Sequence, residues 1–234
     1  MIVSEDPDYL DTKLVKQGFK KLDPTFQKLA DWIQQQFDTS VLNIYYDKIE
    51  EDTPRLNIIF EYENESEQFS DNEGNFDSDK QKLIAEKFIQ ILQENTNTNH
   101  GFFAGLYQKS NTTKFDTERL FIIFSSFEPV SRIEVNHQIP QIEIDNLKHE
   151  LNSKNIWEIY REFETTTFFF YTEKQLEQYL NDDTTKFLKN KYFDLLKKYD
   201  EFDYFRNDTD FLNFDSKENF DRSYQSNWFY YSRR

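Results

Sequence analysis

The sequence has no cysteine, one methionine (Met1), four glycines, five prolines and three alanines in 234 residues. Without cysteine it forms no disulfide, offers no thiol nucleophile and holds no Cys-ligated zinc or iron–sulfur cluster. Gly18, Gly74, Gly101 and Gly105 do not supply the register of a dinucleotide fingerprint or a phosphate-cradling P-loop. Long apolar runs are missing too. Leu120–Phe124 and Phe168–Tyr171 fall far short of the ~20 residues of a membrane span. The opening MIVSEDPDYL has neither the basic nor the apolar region of a secretory signal, so the cytoplasm is the default expectation.

Aromatic rings and acid are abundant: 25 Phe, 14 Tyr and 3 Trp, with 44 Asp+Glu against 28 Lys+Arg, a formal net charge of −16. Mean hydropathy is −0.88, which pulls towards disorder. The rings pull the other way, because each removes about 150–250 Å² from water when buried. A folded chain follows. Bias towards A/T-rich codons accounts for part of the Phe, Tyr, Asn, Lys and Ile excess as well as any function does. The charge predicts no binding to nucleic acid or to anionic membrane, and favours basic partners.

Asp23-Pro24 caps an amphipathic helix carrying Phe26, Leu29, Ala30, Ile33 and Phe37. Val41–Ile49 and Arg55–Tyr62 read as a hairpin. After an acidic loop, Glu63–Asp79, a helix capped by Asp77 or Ser78 runs through Leu83, Ile84, Phe88, Ile91 and Leu92. Gly101–Gln108 with Arg119–Phe127 predicts a second hairpin, and Pro129 to Pro140 reads as irregular. A short helix near Ile144–Leu151 precedes a third strand pair, Asn155–Phe163 with Thr165–Tyr171. Thr172 and Gln175 have capping-box spacing for a helix with Leu176, Tyr179 and Leu180, and another runs from Leu188 to Tyr199.

The expected fold is α+β and two-layered, antiparallel hairpins alternating with helices, with a helical C-terminal part. No linker divides the chain, so 1–234 reads as one domain; the subdivision it suggests is an α+β core of 1–172 with a helical, aromatic-rich extension of 173–234. Arg55–Phe60 (RLNIIF) resembles Arg119–Phe124 (RLFIIF), each placed as the second strand of a hairpin, which fits either an old duplication or mere strand periodicity. Beyond Gly105 and Pro140 turns must use Asn and Asp, as at Asn152, Asn181-Asp182-Asp183 and Asn207-Asp208.

Nothing assembles into a catalytic site. Asp145 and His149 stand at i, i+4, but two ligands do not make a metal site; His100 and His137 are tied to no serine nucleophile. Registering Gly74 on the glycine of a calcium loop puts Phe69 and Lys80 where Asp and Glu are needed. The acid–x–Lys pattern of some nucleases occurs at Asp11-Thr12-Lys13 and Asp215-Ser216-Lys217, outside the expected strands. No catalytic, cofactor-binding or metal-ligating residue is assigned, and no cofactor is expected.

Charge is distributed more tellingly. Glu50–Asp79 carries eleven acids against Arg55, and Asp200–Asp221 eight against Arg206 and Lys217, with aromatics interleaved. Between them Lys186, Lys189, Lys191, Lys197 and Lys198 oppose Asp194. The bland reading is solvated faces, plus attraction between the basic helix and the acidic segment after it. The sharper one is a partner surface made of Glu61, Glu63, Glu65, Glu67, Asp71 and Glu73, with Asp203, Tyr204, Phe205, Asp208, Asp210 and Phe211. The chain is therefore expected to be a non-enzymatic acidic factor that engages a basic protein, immunity- or inhibitor-like or an assembly factor. The alternatives are a carboxylate-dependent hydrolase acting on a sugar or a phosphoester, and a structural subunit of a larger assembly.

Overall fold

A computed structural model describes residues 3–98, 115–151, 155–206 and 210–233. The fold is mixed α+β, and the chain divides into two compact units, Met1–Glu128 and Pro129–Arg234.

In the first unit, helices α1 (Pro7–Lys16) and α2 (Pro24–Phe37) precede strands β1 (Val41–Ile49) and β2 (Thr53–Phe60). Then come the short helix α3 (Glu63–Glu67), the long helix α4 (Ser78–Thr98) and strand β3 (Phe121–Ser126). Asp23 accepts from the Thr25 amide at 2.9 Å and Pro24 opens α2, as the Asp-Pro pair requires. β1 and β2 pair antiparallel, but β3 joins β2 in parallel, with Ile58 opposite Phe124. The expected hairpin partner of Arg119–Phe127, Gly101–Gln108, lies outside the described residues. The likeness of RLNIIF to RLFIIF belongs to two adjacent strands of one sheet.

Alternation sorts this sheet into two faces. Ile44, Leu56, Ile58, Phe60, Ile122 and Phe124 pack under Phe26, Leu29 and Ile33 of α2 and Ile84, Phe88 and Ile91 of α4. The opposite face is polar where α1 crosses it. Asn57 donates to Asp8 Oδ2 at 2.9 Å and accepts from Ser125 Oγ at 2.8 Å, while Asn43 donates to Asp11 Oδ2 at 3.1 Å and Thr12 Oγ1 at 3.0 Å. Asp8, Thr12, Asn43 and Asn57 are all buried, so these bonds replace the water they give up.

The second unit follows the same plan. Helices α5 (Glu128–Gln138) and α6 (Gln141–Glu150) lead to strands β4 (Ile156–Glu162) and β5 (Thr165–Phe170). Helices α7 (Glu173–Leu180) and α8 (Thr184–Leu196) follow, then strand β6 (Leu212–Ser216) and helices α9 (Lys217–Tyr224) and α10 (Trp228–Tyr231). β4 pairs antiparallel with β5, and β6 joins β5 in parallel. Register repeats as well as order. Phe168 faces Phe214 as Ile58 faces Phe124, and Phe170 faces Ser216 as Phe60 faces Ser126. The bulge near the start of β1 (Val41/Asn43) recurs in β4 (Ile156/Glu158). After β2 the Glu65 carboxylate accepts from the Tyr62 amide, half of a capping box, and after β5 Thr172 and Gln175 form the full box.

Two expectations change here. The stretch from Pro129 to Pro140 is mostly helix α5, because a proline in the first turn lacks only an amide that has no helical partner there. The C-terminal part is not wholly helical: β6 pairs with β5 and completes the second sheet. Turns after Pro140 follow the expectation in part: Asp203 adopts positive φ and Asp182 closes an Asx turn by accepting from the Thr184 amide at 2.7 Å, whereas Asn181 is right-handed at −95° and Phe163, Gln225 and Ser226 also take positive φ. Asn152 and Asn207-Asp208 lie outside the described residues.

One sheet face of this unit packs under α5, α6 and α8 through Val135, Ile144, Leu147, Leu188, Tyr192 and Leu195. The buried Tyr192 hydroxyl donates to Asn136 Oδ1 at 2.7 Å and accepts from Thr166 at 2.9 Å, while Asn136 donates to the carbonyls of Phe163 and Thr165. Burial pushes the Tyr192 phenol up to about 12. A raised folded-state value leaves this contribution intact below the unfolded value of 10.0 and removes it as pH rises towards 12. Denaturant melts from pH 9 to 12 are expected to show the second unit losing about 3 kcal/mol through this group. Tyr192→Phe, about 1–2 kcal/mol weaker below pH 10 for its lost hydrogen bonds, should show a slope shallower by one proton between pH 10 and 12; an unchanged slope would contradict the assignment.

The other face carries Trp157, Tyr160 and Phe169 under Phe220, Trp228 and Tyr231 of α9 and α10. Tyr160 stacks on Trp228 at 4.3 Å, and the Tyr231 hydroxyl donates to Asp215 Oδ2 at 2.9 Å. The aromatic C-terminus is thereby a structural cover for the second sheet.

Candidate acidic interaction surface

Between β2 and α4 the chain carries eight acids and no basic residue from Glu61 to Asp79. Like charges at this density would favour an open, solvated loop. Local hydrogen bonds and one buried ring oppose that. The Glu65 carboxylate turns back to accept from the Tyr62 amide at 2.9 Å, closing the first turn of α3. Asp71 Oδ1 accepts from the amides of Glu73 and Asn75, both at 2.9 Å, and Gly74 supplies the φ of 82° that the turn needs. Ser70 and Phe76 form an isolated antiparallel bridge. Asp77 caps α4 by accepting from the amides of Asp79 and Lys80 at 3.0 and 3.1 Å.

Phe69 nails the loop down. Its fully buried ring lies 4.7 Å from Phe60, 4.8 Å from Phe124 and 5.2 Å from Phe37. The Asp77 amide donates to its carbonyl at 2.8 Å, and Lys80 Nζ sits 5.6 Å over the ring.

Acids in this segment therefore divide by role. Glu65, Asp71 and Asp77 shape the loop, and Glu61 pairs with Lys16 at 2.6 Å. Glu63, Glu67, Glu73 and Asp79 are exposed, and Phe76 shows an apolar edge among them. Bonds from the Asn75 amide first, then the Glu73 amide, hold Asp71 below its ordinary value; the Lys80 amide and then its ammonium do the same for Asp77. Depressed folded-state values mean that these bonds stabilise the loop above about pH 4, the ordinary unfolded carboxylate range, and are lost as pH falls through the lower folded values. NMR amide exchange is expected to show the Glu73 and Asn75 amides losing protection below pH 4 before the sheet melts. Loss of both together would show that the carboxylate does not order the loop.

The second acidic segment is built differently. Tyr204, Phe205 and Phe211 are 2%, 1% and 1% exposed, so these rings join the core instead of rimming a partner surface. Asp200 accepts from the amides of Tyr204 and Phe205 at 3.0 and 2.9 Å, and Lys197 pairs with both Asp200 and Asp203. The basic helix and the acids after it thus pair within the unit, and Lys198 and Lys191 pair with Glu143 and Glu150 of α6. Asp210 is exposed, and Asp208 lies outside the described residues. Alternating aromatics in an acidic stretch look alike whether they face a partner or the core.

Other chemistry-bearing residues have structural uses. Asp215 lies on β6, and its buried carboxylate accepts from Tyr231 and Asn219. Asp145 accepts from Gln141 on the same helix at 3.0 Å. Among the described residues no group of three or more His, Asp or Glu is placed to hold a metal ion. No described helix is long and apolar enough to cross a membrane. Neither the protein-family models, nor the curated proteins, nor the solved structures contain a match to this chain.

Proposed function

We propose that this chain is a non-enzymatic protein-binding factor whose acidic loop between β2 and α4 engages a basic protein. The observation that carries the reading is the loop's preorganisation. Glu63, Glu67 and Glu73 project from a segment already fixed by Phe69, Asp71 and Asp77, so binding orders little new chain. Surface acids speed encounter with a cationic partner, and the exposed Phe76 edge offers apolar contact beside them. Neutralising a toxin, inhibiting a nucleic-acid enzyme and chaperoning assembly all use such a surface.

Affinity capture from the native host tests this at low and high salt. A basic protein should be retained at low salt and released at high salt. The Glu63→Gln/Glu67→Gln/Glu73→Gln variant should bind it roughly 10- to 100-fold more weakly, at up to about 1 kcal/mol per rim charge, with unchanged melting. Binding that survives both high salt and the triple substitution would refute the proposal.

A further inference from the structure

Helix α1 is turned inside out. An amphipathic surface helix ordinarily directs its apolar stripe to the core and its polar side to water. Here Asp8 and Thr12 face inward, bonded to Asn57 and Asn43, with Tyr9 stacked on Phe127 at 5.0 Å. Leu10 and Leu14, one turn apart on the other side, are 47% and 44% exposed. The helix end adds to that stripe. The Phe19 amide donates to the Leu14 carbonyl at 2.9 Å and the Gly18 amide to that of Val15 at 3.0 Å. These are the two bonds of a Schellman end, with Gly18 at φ 78°, and they bring residue 19 back towards residue 14. Phe19 is 81% exposed and Val3, before the helix, 44%. Four apolar side chains thus lie outward along one short element.

Charge along the element says what covers them. Its beginning carries Glu5, Asp6 and Asp11, and its end carries Lys13, Lys16, Lys20 and Lys21. Lys20 pairs with Asp11, which is 20% exposed and also accepts from Asn43, and Lys16 pairs with Glu61, so the exposed Glu5 and Lys21 are the charges offered to a partner. A uniformly basic helix would fit an anionic bilayer, but the acids at the start oppose that. A polarised helix is complementary to itself when reversed. We propose that α1 is a self-association surface on which a second copy of this chain docks antiparallel across a two-fold axis. Leu10 of each copy meets Leu14 of the other, Val3 and Phe19 flank that seam, and Glu5 of each approaches Lys21 of the other. The seam is small, so the dimer belongs with the weak interfaces below about 1,200 Å² and forms in the micromolar range.

Sedimentation velocity on the full chain from about 1 to 200 µM tests this, the range in which so small an interface should fill. The wild-type mass should rise from 28.6 kDa towards twice that value. Leu14→Glu should stay monomeric throughout with an unchanged melting temperature, because its side chain is outward. Glu5→Lys and Lys21→Glu should each weaken the dimer several-fold, at up to about 1 kcal/mol per contact, and their equimolar mixture should restore it. A wild-type monomer at every concentration overturns the proposal. So does a Leu14→Glu monomer that melts several degrees lower, since the stripe would then be buried within one chain. Binding to anionic vesicles without dimer formation overturns it in favour of a lipid surface.

Discussion

Tyr231→Ala is expected to destabilise the second unit by about 3–5 kcal/mol, the range for deleting a large buried aromatic. The ring is fully buried, 5.0 Å from Phe169, 4.8 Å from Tyr224 and 5.8 Å from Phe220. Its removal opens a cavity among side chains already fixed by one another, so collapse recovers little. It also takes one donor from Asp215, a carboxylate only 9% exposed, leaving Asn219 to satisfy Oδ2 at 3.1 Å. Tyr231→Phe separates the two effects: it keeps the ring and should cost only about 1–2 kcal/mol for the lost hydrogen bond. Urea titration followed by tryptophan fluorescence reads both, because Trp157 and Trp228 sit in the same cluster. A Tyr231→Ala chain within about 1 kcal/mol of wild type would mean that α10 is not a structural cover.

Phe69→Ala should cost the first unit a similar amount, about 3–5 kcal/mol, and should also act on binding. The ring joins the acidic loop to Phe60 and Phe124 of the sheet, so truncating it removes both core contacts and the loop's anchor. Partner affinity should then fall by about 0.5–1.5 kcal/mol for each side chain that binding must newly order. The two loop variants have opposite signatures. Glu63→Gln/Glu67→Gln/Glu73→Gln loses affinity at constant stability, whereas Phe69→Ala loses stability first and affinity as a consequence. Measuring melting temperature and Kd on both chains tells a surface role from an anchoring role. Equal affinity for Phe69→Ala and wild type at a temperature where both are folded would show that preorganisation contributes nothing.

Local chemistry made much of this fold readable. Asp23-Pro24, Thr172 with Gln175 and the runs Val41–Ile49 and Thr165–Tyr171 each specify an element through a cap or an alternation. Helix α1 carries the same Asp-Pro start at Asp6-Pro7, but its inward face is polar, so no core stripe marks it. Parallel addition of β3 and β6 was not legible, since strand alternation does not say which neighbour a strand takes. The common plan of the two units was hidden for another reason. Equivalent positions keep burial, as Ile58 and Phe168 do, but rarely identity, and the loops between equivalent strands differ in length. The visible likeness, RLNIIF to RLFIIF, joined neighbours in one sheet. For the acidic surface, charge singled out a first segment in which Glu63, Glu67 and Glu73 are exposed. It misplaced the second, because Tyr204, Phe205 and Phe211 alternate with acids while pointing into the core.

Hydrogen exchange on the full chain, alone and saturated with the captured basic protein, tests the central claim most directly. The account predicts new protection in peptides covering residues 63–79, diminished in the complex of the triple glutamine variant and absent at high salt. Protection that instead covers residues 173–206, with 63–79 unchanged, would contradict it.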